Sequence, residues 1–321
     1  MKAIVVERLG GPEVLEMREL PTPEPGPGQL LVDVAAAGVN FMDTGARRYG
    51  PTGVELPYVP GVEAAGTVRA TGPGVDEFMP GDRVAWAYSN GTYAERIVIP
   101  AATAVPVPDE ISDEVAAAAM LQGLTAHGFA TEAYDVRPGD TAVVHAAAGG
   151  LGQLLTQMVK LRGGSVIAVV SRPEKAEIAR RAGADHVLVA SGAEFLDRAR
   201  ELTAGRGADV VFDGNGESTF HASMRVLRRY GTMLYYGPFI GSVPTIEMLD
   251  LPNSIKICYP VFFDHIPTRE ALLRNAGAVF ALIKAGKLRI DIGRRYELAE
   301  AARAHADIES RRTTGKLLLI P

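Results

Sequence analysis

The chain has 321 residues, 47% of them apolar and 22% charged, a length and balance that suit a water-soluble protein with two cores. A formal net charge of −5 argues against nucleic acid or an anionic membrane as the main partner, and the single cysteine, Cys258, excludes an intrachain disulfide or a Cys-rich metal lobe. No apolar run approaches the roughly 20 residues of a membrane span, and the N-terminus lacks a leader pattern, so a cytoplasmic location is expected.

Residues 1–122 are interrupted by Pro and Gly at short intervals, as in PTPEPGPG and TGPGVDEFMPGD. Between the breaks lie strand-like runs: AIVVE, LLVDVAAAGV, AAGTVRA, DRVAWA and AERIVI. Such spacing predicts an antiparallel, barrel-like β unit. From residue 123 the rhythm changes. A helix-like TAHGFATEAYDV precedes strands TAVVHAA, SVIAVV, HVLVA, DVVFD, TMLYYG and IKICYP, which alternate with amphipathic helices. This predicts an α/β fold with a doubly wound parallel sheet. The tail adds a helix over 269–286, a strand near Arg289, a helix over 299–310 and a last strand, KLLLIP, read as returning to the first domain.

The most specific local signal is TAVVHAAAGGLGQLLTQMVKL. A strand, a turn with Gly149, Gly150 and Gly152, and an immediate amphipathic helix form a phosphate-binding pattern. Glycines admit a pyrophosphate to the backbone, and the helix start offers unpaired N–H donors. In NAD-binding enzymes an acid about 20 residues further on holds the ribose 2′-OH. Here the second strand ends in Ser171 and Arg172, with Lys175 one turn on, which favours a 2′-phosphate and hence NADPH. The alternative is that Arg172 and Lys175 are solvated residues of a helix start.

Taken together, GGPEVLE (10–16), AAGVNFMDTGARRYG (36–50), PGVEAAGTV (60–68), GDRVAW (81–86), QGLTAH (122–127), HAAAGGLG (145–152) and ESRRTTGKLLLIP (309–321) are similar to the zinc-independent quinone oxidoreductases, the zeta-crystallin-like branch of the medium-chain dehydrogenase/reductase superfamily. The resemblance implies a GroES-like β-barrel catalytic domain over 1–122, a Rossmann NADPH-binding domain over 123–261, and a return segment, 262–321, completing the first. Zinc-binding relatives carry a Cys and a His where Asn40 and Val62 stand, and an amide and an isopropyl group are poor zinc ligands, so no metal is expected. His127 and His145 lie near the implied site without partners at ligand spacing and read as core or rim histidines.

By the same resemblance, Gly149, Gly150, Leu151 and Gly152 cradle the pyrophosphate, while Ser171, Arg172 and Lys175 approach the 2′-phosphate. Thr125 lies near the phosphates; Tyr236, Gly237 and Pro238 offer backbone to the carboxamide; Arg311 reaches the cofactor from the tail. Asn40 and Asp43 line the pocket beside the nicotinamide, with Tyr49 shaping the substrate side. Each has a plainer alternative: Asn40 and Asp43 as helix caps, Thr125 as an N-cap, Tyr49 as cover for the core.

Without a Lewis acid, a simple ketone makes a poor hydride acceptor, whereas a quinone delocalises the incoming charge. The expected function is NADPH-dependent hydride transfer to a quinone. An alkenal or enone C=C reductase is the alternative within the same chemistry. A nucleotide-sensing or nucleic-acid-binding protein that keeps the fold without turnover is a reading from another class. Relatives pair nucleotide domains through edge strands, and SIKICYPVFF (254–263) suits such an edge, so a homodimer is expected.

Overall fold

The computed structural model describes residues 1–51, 53–237 and 244–321, and of Asp250 the backbone alone. The chain forms two compact units, Met1–Leu124 with Ile266–Pro321, and Thr125–His265. No helix among the described residues is long and apolar enough to cross a membrane.

The first unit holds β1 (Lys2–Val6), β2 (Leu15–Glu19), β3 (Gln29–Val39), β4 (Glu63–Thr71), β5 (Arg83–Ala87), β6 (Arg96–Pro100) and β7 (Val105–Pro106), with helix α1 (Phe41–Tyr49) between β3 and β4. β1 and β2 pair with each other; the rest join a larger sheet around β3, which contacts β4 along its length and β6 over Gln29–Asp33. Register shifts in the β3–β4 pairing mark irregularities that bend a ladder, as a barrel wall requires. Trp86, Tyr93, Leu30 and Ile99 fill the interior.

Helix α2 (Asp113–Gly128) runs unbroken through the expected boundary at 122. Gly123 therefore ends nothing. A Cβ there would lie 3.1 Å from Val279 Cγ1, so the glycine serves close packing rather than a turn.

The second unit contains β8 (Thr141–Val144), β9 (Ser165–Val170), β10 (His186–Val189), β11 (Ala208–Asp213), β12 (Leu227–Tyr235) and β13 (Lys256–Cys258), ordered β10-β9-β8-β11-β12-β13 and parallel throughout. This is the doubly wound order, with its reversal between β8 and β11. Helices α3 (Gly150–Leu161), α4 (Ala176–Arg181), α5 (Phe195–Leu202) and α6 (Glu217–Val226) link the strands. All six residues of β11 are buried, as expected for a central strand covered on both faces.

Two sequence expectations need correction. The run 254–263 supplies only the three-residue edge strand β13, because Pro260 has no N–H for the ladder, and Phe262–His265 turns into a short helix, α7. The tail strand lies at Ile292–Glu297 (β14) rather than near Arg289, after α8 (Arg269–Lys284). The chain ends in α9 (Ala301–Glu309) and β15 (Lys316–Ile320), which pairs parallel with β14 and antiparallel with β3. The return of the tail to the first unit is thus a main-chain hydrogen-bond ladder.

Candidate active site

In the second unit, β8 stops at Val144 and the chain turns through Ala146, whose φ is +47°. Gly149 is the residue before α3; its backbone is extended and no side chain caps the helix. The first-turn N–H groups are thus left for an anion. A Cβ on Gly152 would come within 2.3 Å of Ala146 O and 2.8 Å of Ala147 Cα, so the helix start and the turn fit only with glycine there. Gly149, Gly150, Leu151 and Gly152 are therefore consecutive parts of one helix entry.

β9 lies beside β8 and leads into Ser171 and Arg172. Arg172 precedes the turn Pro173–Lys175 and forms no ion pair among the described residues. Neither of the two residues after β9, Ser171 and Arg172, is an acid; the first acid, Glu174, lies in the turn Pro173–Lys175. Thr125 sits inside α2, not at its N-cap. The Tyr236 N–H donates to Asp213 O (2.9 Å), so it has no N–H left for a ligand; the ring packs on Phe129 and over Gly214. Pro238 lies outside the described residues.

His145 is a core histidine. Its Nε2 is 2.9 Å from Ser223 Oγ, and Ser223 donates to Asp213 Oδ2 (2.6 Å), while Thr219 donates to Asp213 Oδ1 (2.9 Å). Burial lowers the imidazole pKa against the pull of Asp213. The buried carboxylate thereby ties α6 to the ends of β8 and β11. His127 Nδ1 lies 3.2 Å from His265 Nε2, and His265 Nδ1 lies 2.6 Å from Glu132.

In the first unit, Asn40 and Asp43 open α1. Asp43 Oδ2 accepts the Asn40 N–H (2.8 Å), so Asp43 is a helix cap. The Asn40 side chain points elsewhere: Nδ2 donates to Glu63 Oε1 (2.8 Å) and Oδ1 accepts from Lys316 Nζ (2.7 Å). Lys316 also pairs with Glu63, whose Oε2 accepts the Leu121 N–H (2.7 Å). Lys316 and Glu63 are both buried. Neither was singled out from sequence; the antiparallel pairing of Leu317 with Val39 is what brings Lys316 to Asn40.

A second buried chain starts at Asp43. Tyr93 donates to Asp43 Oδ2 (3.0 Å), His305 Nε2 is 3.1 Å from the Tyr93 hydroxyl, and Arg47 reaches His305 Nδ1 (3.1 Å) and Glu309 (2.7 Å). A guanidinium only donates, so Nδ1 accepts and the imidazole proton sits on Nε2, facing Tyr93. Burial pushes the Asp43 carboxyl up to about 7, outweighing its hydrogen bonds, and holds His305 down to about 3, with Arg47 adding to the effect. Tyr49 ends α1 and is 79% exposed, so it covers no core within this chain. Arg311 follows α9 with φ +55° and faces solvent.

Zinc does not fit this site. Asn40 and Val62 offer no imidazole or thiolate, and the nearby carboxyl groups are engaged: Glu63 holds Lys316, Asn40 and a backbone N–H, and Asp43 accepts from the Asn40 N–H and Tyr93. Among the described residues no group of three or more His, Cys, Asp or Glu is arranged to hold a metal.

Residues 26–109 match the alcohol dehydrogenase GroES-like domain, and 182–319 match a family described as zinc-binding dehydrogenase. A quinone oxidoreductase of Pseudomonas aeruginosa is 39% identical over 323 residues, covering 100% of this chain and 99% of the relative. A 2-haloacrylate reductase of Burkholderia is 35% identical, covering 99% and 98%. Among solved structures, a mycobacterial protein complexed with NADPH is 43% identical with a TM-score of 0.95, covering 100% of both chains. This chain belongs to the quinone oxidoreductase branch of the medium-chain dehydrogenase/reductase superfamily.

Lys316→Met leaves the Glu63 carboxylate buried without its cation and should cost about 3–5 kcal/mol in denaturant unfolding. Adding Glu63→Gln, whose carbonyl oxygen still accepts from Leu121 and whose NH2 can donate to Asn40 Oδ1 once that amide turns over, should recover most of that; a single-variant loss under about 1 kcal/mol contradicts the pairing.

Asp43 and His305 give opposite pH slopes. Asp43 is raised in the fold, so its stabilising contribution is present near pH 4 and lost as pH rises towards about 7. His305 is depressed, so its contribution is present above about 6.5 and lost as pH falls towards about 3. Asp43→Asn should make Tm fall more steeply with acid than in the parent, and His305→Gln less steeply. Parent-like slopes in both variants contradict the assignment.

Proposed function

We propose that this chain is an NADPH-dependent oxidoreductase that transfers hydride to a quinone without a metal. The carrying observation is the pair of features at the ends of β8 and β9: an uncapped glycine entry to α3 beside a strand end where Ser171 and Arg172, and no acid, directly follow the strand. The first suits a pyrophosphate and the second a 2′-phosphate rather than a bare ribose. The NADPH complex of the mycobacterial relative and the quinone oxidoreductase relative support this reading.

NADPH, when bound, supplies the hydride. Gly149, Gly150, Leu151 and Gly152 hold its diphosphate, Ser171, Arg172 and Lys175 its 2′-phosphate, and the backbone at Tyr236 to Pro238 its carboxamide, with Thr125 and Arg311 as further contacts. Asp43 fixes the start of α1. Asn40, with one Nδ2 hydrogen not used on Glu63, and the exposed Tyr49 hydroxyl are the groups offered to the substrate oxygen. A quinone spreads the incoming charge over a conjugated oxygen, so orientation and a few hydrogen bonds replace a Lewis acid.

A C=C reductase is the second reading, favoured by the 2-haloacrylate reductase relative. Location in the cytoplasm fits the lone Cys258. A homodimer is proposed from the edge strand β13, around which Ile257, Tyr259, Val261 and Phe263 are exposed.

Initial rates should favour NADPH over NADH at least about tenfold in kcat/KM, with Arg172→Ala abolishing the preference through KM for NADPH. 1,4-Benzoquinone and 9,10-phenanthrenequinone should outpace small enones and 2-chloroacrylate; the reverse order selects the C=C reductase. Unchanged kcat/KM in both Asn40→Ala and Tyr49→Phe removes those two from the pocket. Light scattering should give twice the chain mass, and a monomer overturns the dimer.

A further inference from the structure

In a parallel sheet all strands begin along one edge. The glycine turn follows the C-terminal end of β8, while β11 starts at Ala208 and β12 at Leu227, paired with each other at the opposite edge. There, five arginines, Arg200, Arg206, Arg225, Arg228 and Arg229, line one pocket of about 320 Å³ together with Gly207. A Cβ on Gly207 would lie 2.7 Å from Arg228 N and 2.7 Å from Val226 O, so the two strand starts approach as closely as the backbone permits.

No carboxylate lines the pocket. Asp209, beside it, holds Arg206 (2.8 Å) and also Arg228, and Asp140 acts on Arg206 through its charge. Arg200 donates to Arg225 O (2.9 Å) and Arg228 to Arg229 O (2.6 Å), contacts that orient guanidinium groups without neutralising them. Arg200, Arg225 and Arg229 have no carboxylate partner among the described residues. In a chain of net charge −5, gathering five cations, two of them held by Asp209 and three without a carboxylate partner among the described residues, is a segregation that an anion relieves.

We propose that this pocket binds a small anion with two adjacent phosphoryl groups, pyrophosphate or the end of a nucleoside triphosphate. A single phosphoryl group carries about −1.5 to −2, so two adjacent ones match three unneutralised cations, and guanidinium forks pair with phosphoryl oxygens in bidentate fashion. The site is independent of the nucleotide reading, since it lies at the other edge of the sheet.

The test is calorimetry on the full chain in saturating NADPH, which occupies the glycine turn, with pyrophosphate in one arm and ATP in the other. One pyrophosphate or ATP should bind per chain, at least about tenfold more weakly in R225Q/R229Q, with quinone turnover unchanged. Equal affinity for both ligands assigns recognition to the shared diphosphoryl group; tighter binding of one identifies the source. No binding of either ligand, or binding undiminished in the variant, overturns the proposal. A variant that becomes monomeric overturns it too, because the arginines then face a second copy. So does length-dependent binding of single-stranded RNA, lost in the variant, when pyrophosphate does not bind.

Discussion

Lys316 is a cation with almost no access to water, and it is tolerable only because Glu63 and the Asn40 amide receive it. These residues come from the tail, from the start of β4 and from the end of β3. Their meeting sets the register of β15 against β3, since a one-residue slip would turn Lys316 to the opposite face. The same contacts determine which way the Asn40 amide points: its oxygen must face the ammonium and its nitrogen the carboxylate. Asn40, proposed to face the substrate, is therefore held by an ion pair that is itself buried from solvent.

From Asp43 the second buried chain runs through Tyr93 and His305 to Arg47 and Glu309. Every donor along it is assigned once the guanidinium is placed at one end. With Asp43 rising to about 7 and His305 falling to about 3, the histidine is neutral and the carboxyl only partly ionised near neutrality, which lowers the cost of burying those two. The chain fastens α1 to α9 and so holds the first turn of α1, where Asn40 and Asp43 stand, to the returning tail. In the first unit, then, Asn40 rests on a buried carboxylate, Glu63, and the start of α1 on another, Asp43.

The glycine turn could be read directly because its demands are local: Gly152 must be glycine to clear the carbonyl of Ala146, and the strand before it and the helix after it have distinct periodicities. The absence of an acid at the two positions directly after β9 was equally visible. By contrast, α2 crosses the expected boundary at 122, with Gly123 inside the helix and packed closely against Val279. The apolar run at 254–263 looked like one long edge strand, yet hydrogen bonding after Cys258 is cut short by Pro260. Tyr93, His305 and Lys316 carried no motif, since their partners lie between 50 and 276 residues away.

What the sequence by itself determined are features encoded within a few residues: the alternation of buried strands and amphipathic helices, the Gly-rich helix entry, and the replacement of zinc ligands by Asn40 and Val62. Those depend on backbone sterics and side-chain chemistry that act over one or two turns. Only the tertiary structure decided which polar groups share a buried space, which carboxylate neutralises which cation, and that arginines scattered from 200 to 229 meet in one pocket. Burial and charge are properties of surroundings, and those surroundings are assembled from distant parts of the chain.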